Sequence, residues 1–479
     1  MLTAQSSLHI SLRPGDRREA AARHDLSDTE SRCVNDKADR MSSEGLTESR
    51  GYKPLLPMIL SYVASGGSLV LGSAAQLLTF AILARFLGVE EFSVFVAITA
   101  VASIAVHLCG LGAMECLVRR VARDRTIYAE MLGHNILLTA ASGLALVLAG
   151  AVALPFFFAL SPDPIANFAV IALMLITNIV LVRIIVLAEQ IFIAHSDFAS
   201  ANKVVVGFAV ARTVAAALAC LVFGVSTVAS WAVWQFICHV LVALACLWAI
   251  KGLGAPRYRI VREELPQGLY FSIPFILRAL RQNADLLVLS LVTTAEIVSS
   301  YSVARRMLES SFLSVEALNR LIYPGSARMT TAGLHHALQR VLRVLGAATG
   351  ISLAAALTVF VLAPVLPYLF GHEYVSLVGF VRGLAWVVVP LAIWSVAVEA
   401  LGASGYHAAR ATVMGLGSIA GAGLAAAASW HAPPAGTFVS FYVIEIAMVV
   451  ATWSVFLRFV RRDRERAARE FPAGTVHGH

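Results

Sequence analysis

The segment FILRALRQNADLLVLS, residues 275–290, carries Arg278, Arg281, Gln282 and Asp285 inside an otherwise apolar run. On a helix these four fall at i, i+3, i+4 and i+7, which is one face. A guanidinium fork grips a carboxylate or phosphate through two parallel hydrogen bonds, so such a face suits an anionic ligand. An arginine near a bilayer centre costs about 2.5–3.5 kcal/mol on insertion scales, and two on one stripe need a compensating partner or a wet cavity. Arg183, Arg212 and Arg305 stand in other apolar runs. Helical spacing offers local ion pairs for Arg281 with Asp285, Arg305 with Glu309, and Glu316 with Arg320. Arg183, Arg212 and Arg278 have no acid four residues away, which leaves Glu189, Glu399 or Glu445 on other segments as partners. Arg382, near the start of its run, is placed to snorkel to an interface, and Arg306 can do the same.

Other residue types point away from catalysis. No phosphate-cradling glycine loop, metal-ligand cluster or Ser/His/Asp grouping is present, so no catalytic residue, metal or cofactor is expected. Cys33 lies in a polar N-terminal stretch, and Cys109, Cys116, Cys220, Cys238 and Cys246 lie in apolar runs. Their spacing suggests neither a metal site nor a disulfide framework. His107 is read as a hydrogen-bonding residue inside a bundle. The tryptophans sit mostly near run ends, where aromatic belts form. GLGSIAGAG at 415–423 contains Gly417-x-x-x-Gly421, a close-packing signal.

The elements that must hold these side chains are membrane helices. The chain of 479 residues is 58% hydrophobic and 14% charged, with a mean hydropathy of +0.77; soluble domains are about 25% charged. The first 54 residues are rich in Arg, Asp, Glu and Ser and are expected to be disordered. Met41 and Met58 are alternative starts for the native chain. Beyond them, apolar spans are expected near 56–86, 92–118, 131–159, 166–193, 200–223, 227–250, 267–293, 297–323, 341–370, 377–401, 408–430 and 437–460. This predicts an all-α polytopic membrane protein of about 12 transmembrane helices. Its parts are a segment 1–54, a first six-helix bundle 55–250, and a linker 251–266 with a short amphipathic helix in RYRIVREEL. A second bundle, 267–460, and a basic tail, 461–479, complete the chain.

The joints alternate in charge. GVEE, SPDPIAN, GVS, TTAE, GHEYVS and HAPPAG carry no Lys or Arg, whereas RRVARDR, SANK, KGLGAPRYRIVREE, GSARMTTAGLHHALQRVLR, SGYHAAR and the tail RFVRRDRERAAR are basic. The positive-inside rule then puts both termini in the cytoplasm. This distribution also accounts for the net charge of +8 without a nucleic-acid partner.

The order of spans and joints repeats. VEEFSVFVA at 89–97 and AEIVSSYSVA at 295–304 align Glu90 with Glu296 and Phe95 with Tyr301; LPFF at 154–157 and LPYLF at 366–370 close corresponding spans. Two similar halves of this kind enclose a central cavity.

LARFLGVEEFSVFVAITAVASIAVHLCGLGAMECLVRRVARD and NADLLVLS…AEIVSSYSVARRMLE resemble the two repeats of the oligosaccharide flippases, the Wzx-like polysaccharide biosynthesis and export family of the multidrug/oligosaccharidyl-lipid/polysaccharide (MOP, MATE-like) superfamily. The resemblance covers about residues 55–462 and departs at Ser93 and Ser299, where that family commonly has Gly. It implies two six-helix lobes that flip an undecaprenyl-pyrophosphate-linked oligosaccharide across the bacterial inner membrane by alternating access. The implied setting is O-antigen, capsule or exopolysaccharide biosynthesis, with membrane lipid as surroundings and a polysaccharide polymerase and export machinery as potential partners. On this reading the expected substrate-binding residues are Arg278, Arg281, Arg183, Arg212, Arg305 and Asp285. A cation-coupled drug or metabolite exporter of MATE type is the competing expectation; cationic substrates would favour acids or aromatics over arginine. A polysaccharide polymerase or ligase would need a sizeable catalytic loop outside, and the Lys/Arg-free joints are only a few residues long.

Overall fold

Where the sequence reading ends in helices, the molecule does too. The computed structural model describes residues 55–329 and 334–470, with side chains described over 71–316 and 338–465. Residues 1–54, expected to be disordered, lie outside the described residues, as does the Arg320 side chain of the expected Glu316–Arg320 pair.

The first half contains α1 (Leu55–Leu108), broken at Gly88 (φ 72°, ψ 173°), α2 (Ala113–Val121) and α3 (Tyr128–Ala153). A π turn, Ile176–Leu181, joins α4 (Pro164–Leu175) to α5 (Val182–Ala194). Next come α6 (Phe198–Ala217) and α7 (Val228–Ile250). Starts are set by local chemistry. Asp163 accepts the Ile165 and Ala166 amides ahead of Pro164, and Asp197 accepts the Ser200 amide; both satisfy the orphan donors of a helix N-terminus.

The second half contains α8 (Leu265–Val292), α9 (Ala295–Met329), α10 (Leu334–Leu362) and the short α11 (Leu366–Phe370). It ends with α12 (Leu377–Ala385), α13 (Val388–Ala403), α14 (His407–His431) and α15 (Ala435–Glu470). The regular elements among the described residues are all helical. The protein is an all-α polytopic membrane protein.

Nine helices among the described residues are long and apolar enough to cross a bilayer. One of them, Leu71–Leu108, contains the end of the first expected span and most of the second, on either side of Gly88. Apart from the short α2, the helices that fall outside the nine, α8 and α9, are the two that carry Arg278, Arg281, Asp285, Arg305 and Arg306. Charge, not length, separates them.

Three expectations are corrected. The second span ends at Leu108 rather than residue 118, because Gly110, Leu111 and Gly112 all adopt positive φ and turn the chain into the separate α2. At Gly112 no side chain fits: a Cβ there would lie 1.8 Å from the Gly268 carbonyl oxygen. The linker forms no amphipathic helix; only single 3-10 turns, Lys251–Leu253 and Arg262–Glu264, flank an irregular stretch. The Arg257 amide bonds the Ala129 carbonyl at 2.7 Å and the Val261 amide bonds His134 Nδ1 at 3.1 Å, so helical partners are given up to the first half. Finally, the basic tail is not separate, since α15 runs on to Glu470.

Packing differs at the two ends of the bundles. Near the Lys/Arg-free joints one buried cluster draws on both halves, including Phe92, Trp231, Tyr301, Phe370 and Tyr374. Polar bonds cross there as well. Tyr374 donates to the Ala84 carbonyl at 2.7 Å, Ser299 to the Val89 carbonyl at 2.8 Å, and Arg85 to the Tyr368 carbonyl at 2.7 Å. Near the basic joints each half has its own core, around Met131 and Ile191 in the first and Ala397 and Phe456 in the second. The halves therefore share one buried core at the Lys/Arg-free end, while at the other they meet more narrowly, where α2 approaches the start of α8 at Gly112 and Gly268.

Candidate functional site

The apolar flanks of α8 make it helical, and its polar stripe needs a partner that is not lipid. That partner is chiefly α14, which packs along it. The small residues of α14 let the two backbones approach. A Cβ on Gly421 would lie 3.3 Å from Arg281 Cδ and 3.2 Å from Ile444 Cγ2. Gly421 thus makes room for the Arg281 side chain as well as for close packing, a role the GLGSIAGAG motif alone did not reveal.

Within the second half, α8, α9 and α13–α15 enclose a cavity of about 290 Å³, lined by Arg278, Arg281, Gln282, Arg305, Trp394 and Glu445 among others. A second cavity of about 190 Å³ lies between α1 of the first half and α8 and α9 of the second, lined by Phe80, Phe95, Gln282, Asn283, Arg305 and Arg306 among others. Gln282, Arg305 and Glu309 line both. The two spaces are therefore neighbours across one wall of side chains.

Each predicted residue has a definite place. Asp285 is fully buried and accepts both of its strong bonds from α9: Arg305 Nη1 reaches Oδ1 at 2.6 Å and Oδ2 at 2.5 Å, and the Tyr301 hydroxyl donates to Oδ2. The expected pairings of Asp285 with Arg281 and of Glu309 with Arg305 are corrected accordingly. Glu309 pairs with Arg306 at 3.1 Å. The acid on the neighbouring helix wins because burial makes a charge-assisted bond, here from Nη1 set between both carboxylate oxygens, worth more than a one-turn contact in solvent. Arg281 pairs instead with Glu445, whose other oxygen accepts from Trp394 Nε1 at 2.5 Å, and its guanidinium carbon lies 5.8 Å from the Trp394 ring centre. The Arg305 guanidinium also covers Phe441, 5.0 Å from the ring centre.

Arg278 is exposed at the cavity rim and makes no ion pair among the described residues. Arg183 is buried in the first half, 3.7 Å from Glu115, and Arg212 lies over Phe208 at 5.6 Å. Neither lines the two cavities. Glu399 takes Arg410 at 3.0 Å, and Arg382 caps the Phe360 carbonyl at 3.4 Å. Among the described residues no group of three His, Cys, Asp or Glu side chains could hold a metal ion.

Phe312 and Phe441 are cavity aromatics that sequence reasoning did not single out, and Trp394 is read from the sequence only as one of the tryptophans near run ends. Tyr301 reaches the site through Asp285 rather than by lining a cavity, and it had a signal, its alignment with Phe95 across the repeat. Aromatic residues in apolar spans are unremarkable until a cavity is seen beside them.

The chemical balance is clear. Arg278, Arg281 and Arg305 face Glu309, Glu316 and Glu445 in the larger cavity, so guanidinium and carboxylate alternate rather than summing to a basic wall. What the arrangement offers an anion is the uncommitted Arg278 at the rim.

The family model described as "Polysaccharide biosynthesis protein" matches residues 62–329, more than half of the chain. None of the curated proteins matches the sequence. Among solved structures, an inward-facing multidrug resistance MATE family transporter of the MOP superfamily superposes with a TM-score of 0.65 at 17% identity, covering 84% of this chain and 96% of that one. An outward-facing structure of such a transporter gives 0.57 at 14% identity, with 84% and 97% covered. The lipid II flippase MurJ in an inward closed conformation gives 0.64 at 12% identity, with 85% and 93% covered. These likenesses concern the fold.

Proposed function

Because the chain belongs to the family of polysaccharide biosynthesis proteins, we propose that it is a flippase for a lipid-linked oligosaccharide, carried on undecaprenyl pyrophosphate across the bacterial inner membrane. The observation that carries this reading is Arg278: an arginine on a membrane-embedded stripe, at the mouth of a polar cavity, that makes no ion pair among the described residues. A pyrophosphate supplies the missing charge and takes charge-assisted hydrogen bonds from the guanidinium fork. The lipid tail stays in the bilayer while the polar head passes through the space between the halves.

Orientation follows from the joints. With the basic joints in the cytoplasm, the shared core and the Tyr374, Ser299 and Arg85 bonds close the outer face. The better superposition on an inward-facing than on an outward-facing transporter agrees with this. Alternating access then requires those outer bonds to break as the cytoplasmic ends approach. The glycan produced outside would feed O-antigen, capsule or exopolysaccharide assembly, with a polymerase and export machinery downstream.

Arg278→Ala is expected to cut glycan export at least tenfold at normal membrane levels, and Arg278→Lys, which keeps charge but loses the planar fork, to cut it partially. The assay is surface glycan and accumulated lipid-linked sugar in a knockout complemented with each variant. Wild-type export from Arg278→Ala would refute the phosphate role of this arginine. A second reading, a cation-coupled exporter, is favoured by Glu309, Glu316 and Glu445 in the larger cavity. Unchanged glycan lipids together with dye retention in the knockout would decide for it.

A further inference from the structure

The larger cavity poses a problem for any reading in which phosphate occupies it. Its three arginines are met by three glutamates, and Asp285 stands directly behind Arg305. Glu445 is bonded through both oxygens, to Arg281 and to Trp394. A pyrophosphate pushed past the rim would gain little net attraction and would meet carboxylates at close range, where like charges repel.

The wall suits a different chemistry. A hydroxyl group both donates and accepts, so a polyol can give its protons to carboxylates and accept from guanidinium and amide groups on the same surface. Arg281 uses only Nη2 on Glu445, leaving most of its five donors. Gln282 and Glu309, both exposed, stand where the two cavities meet. Half-buried Phe312 and Phe441 add apolar faces of the kind that cover the C–H side of a sugar ring. A space of about 290 Å³ holds on the order of ten waters at ~30 Å³ each, which is the scale of a sugar ring with its hydroxyl shell and far short of a whole oligosaccharide.

We propose that the cavity inside the second half is a monosaccharide pocket, which takes the sugar next to the pyrophosphate through Gln282, Arg281 and Glu309 and against Phe312. The inference rests on the flippase reading above and adds to it where recognition is divided: Arg278 at the rim holds phosphate, and the charge-balanced interior selects sugar.

The test is to purify the protein from its host membranes in mild detergent and to quantify by mass spectrometry the co-purified undecaprenyl pyrophosphate, with and without attached sugar. The wild type should enrich the sugar-bearing form at least fivefold over its ratio in the membrane. Phe312→Ala and Gln282→Ala should bring that ratio to within twofold of the membrane value while total pyrophosphate lipid stays within twofold of wild type. Phe312→Leu, which preserves bulk, guards against misfolding and should lose most of the enrichment as well. Arg278→Ala should lower both forms together. Full enrichment retained by both Phe312→Ala and Gln282→Ala overturns the sugar pocket, as does a parallel fall of bare and sugar-bearing lipid in them. If Arg278→Ala alone leaves both forms untouched, the phosphate anchor fails while the pocket stands. A wild type that carries neither form sinks both.

Discussion

The two halves handle buried polarity in opposite ways. In the second half each acid of the buried network is spoken for: Asp285 by Arg305 and Tyr301, Glu445 by Arg281 and Trp394, and Glu296 by Ser300 and by the Ser376 amide and hydroxyl. In the first half the bonds are looser. Among the described residues, the buried side-chain nitrogens and oxygens without a hydrogen-bond partner all lie between Glu115 and His239, including Arg183 Nε, Arg212 Nε, Gln235 Oε1 and His239 Nε2. Each such atom costs about 1–3 kcal/mol unless something bonds it, and ordered water is the usual remedy. The difference teaches that the second half satisfies its buried acids with its own side chains, whereas the first leaves buried polar atoms to solvent.

The largest effect should come from cutting the tightest second-half link. Asp285→Ala strands Arg305 in the interior, and breaking a buried pair from one side costs about 3–5 kcal/mol. Thermal unfolding in detergent should show a large drop; a wild-type midpoint would mean that this network does not hold the half together. A smaller loss, about 1–3 kcal/mol as for an overpacked core, is expected from Gly421→Val, which meets Arg281 and Ile444 at the α8–α14 contact. Its unfolding midpoint and its retained lipid should fall together, and an unchanged pair of readings would separate Arg281 from the packing of α14.

First-half substitutions should matter less. Arg183→Met removes a buried guanidinium whose ion pair is a 3.7 Å contact with Glu115; the acid left behind is 22% exposed and can be solvated, so the cost should stay well below that of breaking a fully buried pair from one side. A destabilisation as large as that of Asp285→Ala would erase the contrast between the halves. Smallest of all should be Gln235→Leu. Its amide nitrogen bonds Asn178 at 3.0 Å but its oxygen has no partner, so the midpoint should correspond to a change within about 1 kcal/mol. Hydrogen exchange gives the same comparison without mutation: α5–α7 should exchange faster than α8 and α14.

Much of the fold was legible because a bilayer leaves the backbone few choices. With no water to satisfy amides, an apolar run of sufficient length becomes a helix, and the described helices fall on the expected spans apart from the early stop at Leu108. That stop was not readable from hydropathy. Gly110-Leu111-Gly112 lies in an apolar stretch, and only the approach of Gly268 shows why the chain must turn there. The linker failed for a related reason, since its amphipathic pattern competes with hydrogen bonds to Ala129 and His134 that are far away in sequence.

For the site, the sequence by itself determined which side chains needed an explanation. An arginine among apolar residues must find an acid or a wet cavity, because its guanidinium does not shed its proton and lipid cannot solvate it. Arg278, Arg281, Arg305 and Asp285 were identifiable on that ground alone. Only the tertiary structure decided which of them remain available. Spacing four residues along α8 suggested Arg281 for Asp285, yet the bond goes to Arg305 on α9, while Arg281 crosses to Glu445 on α15. Pairing inside a bundle depends on which helices pack and how deeply each side chain is buried; Asp285 finds its partner 20 residues on and Arg281 finds its own 164 residues on, and spacing along one helix specifies neither.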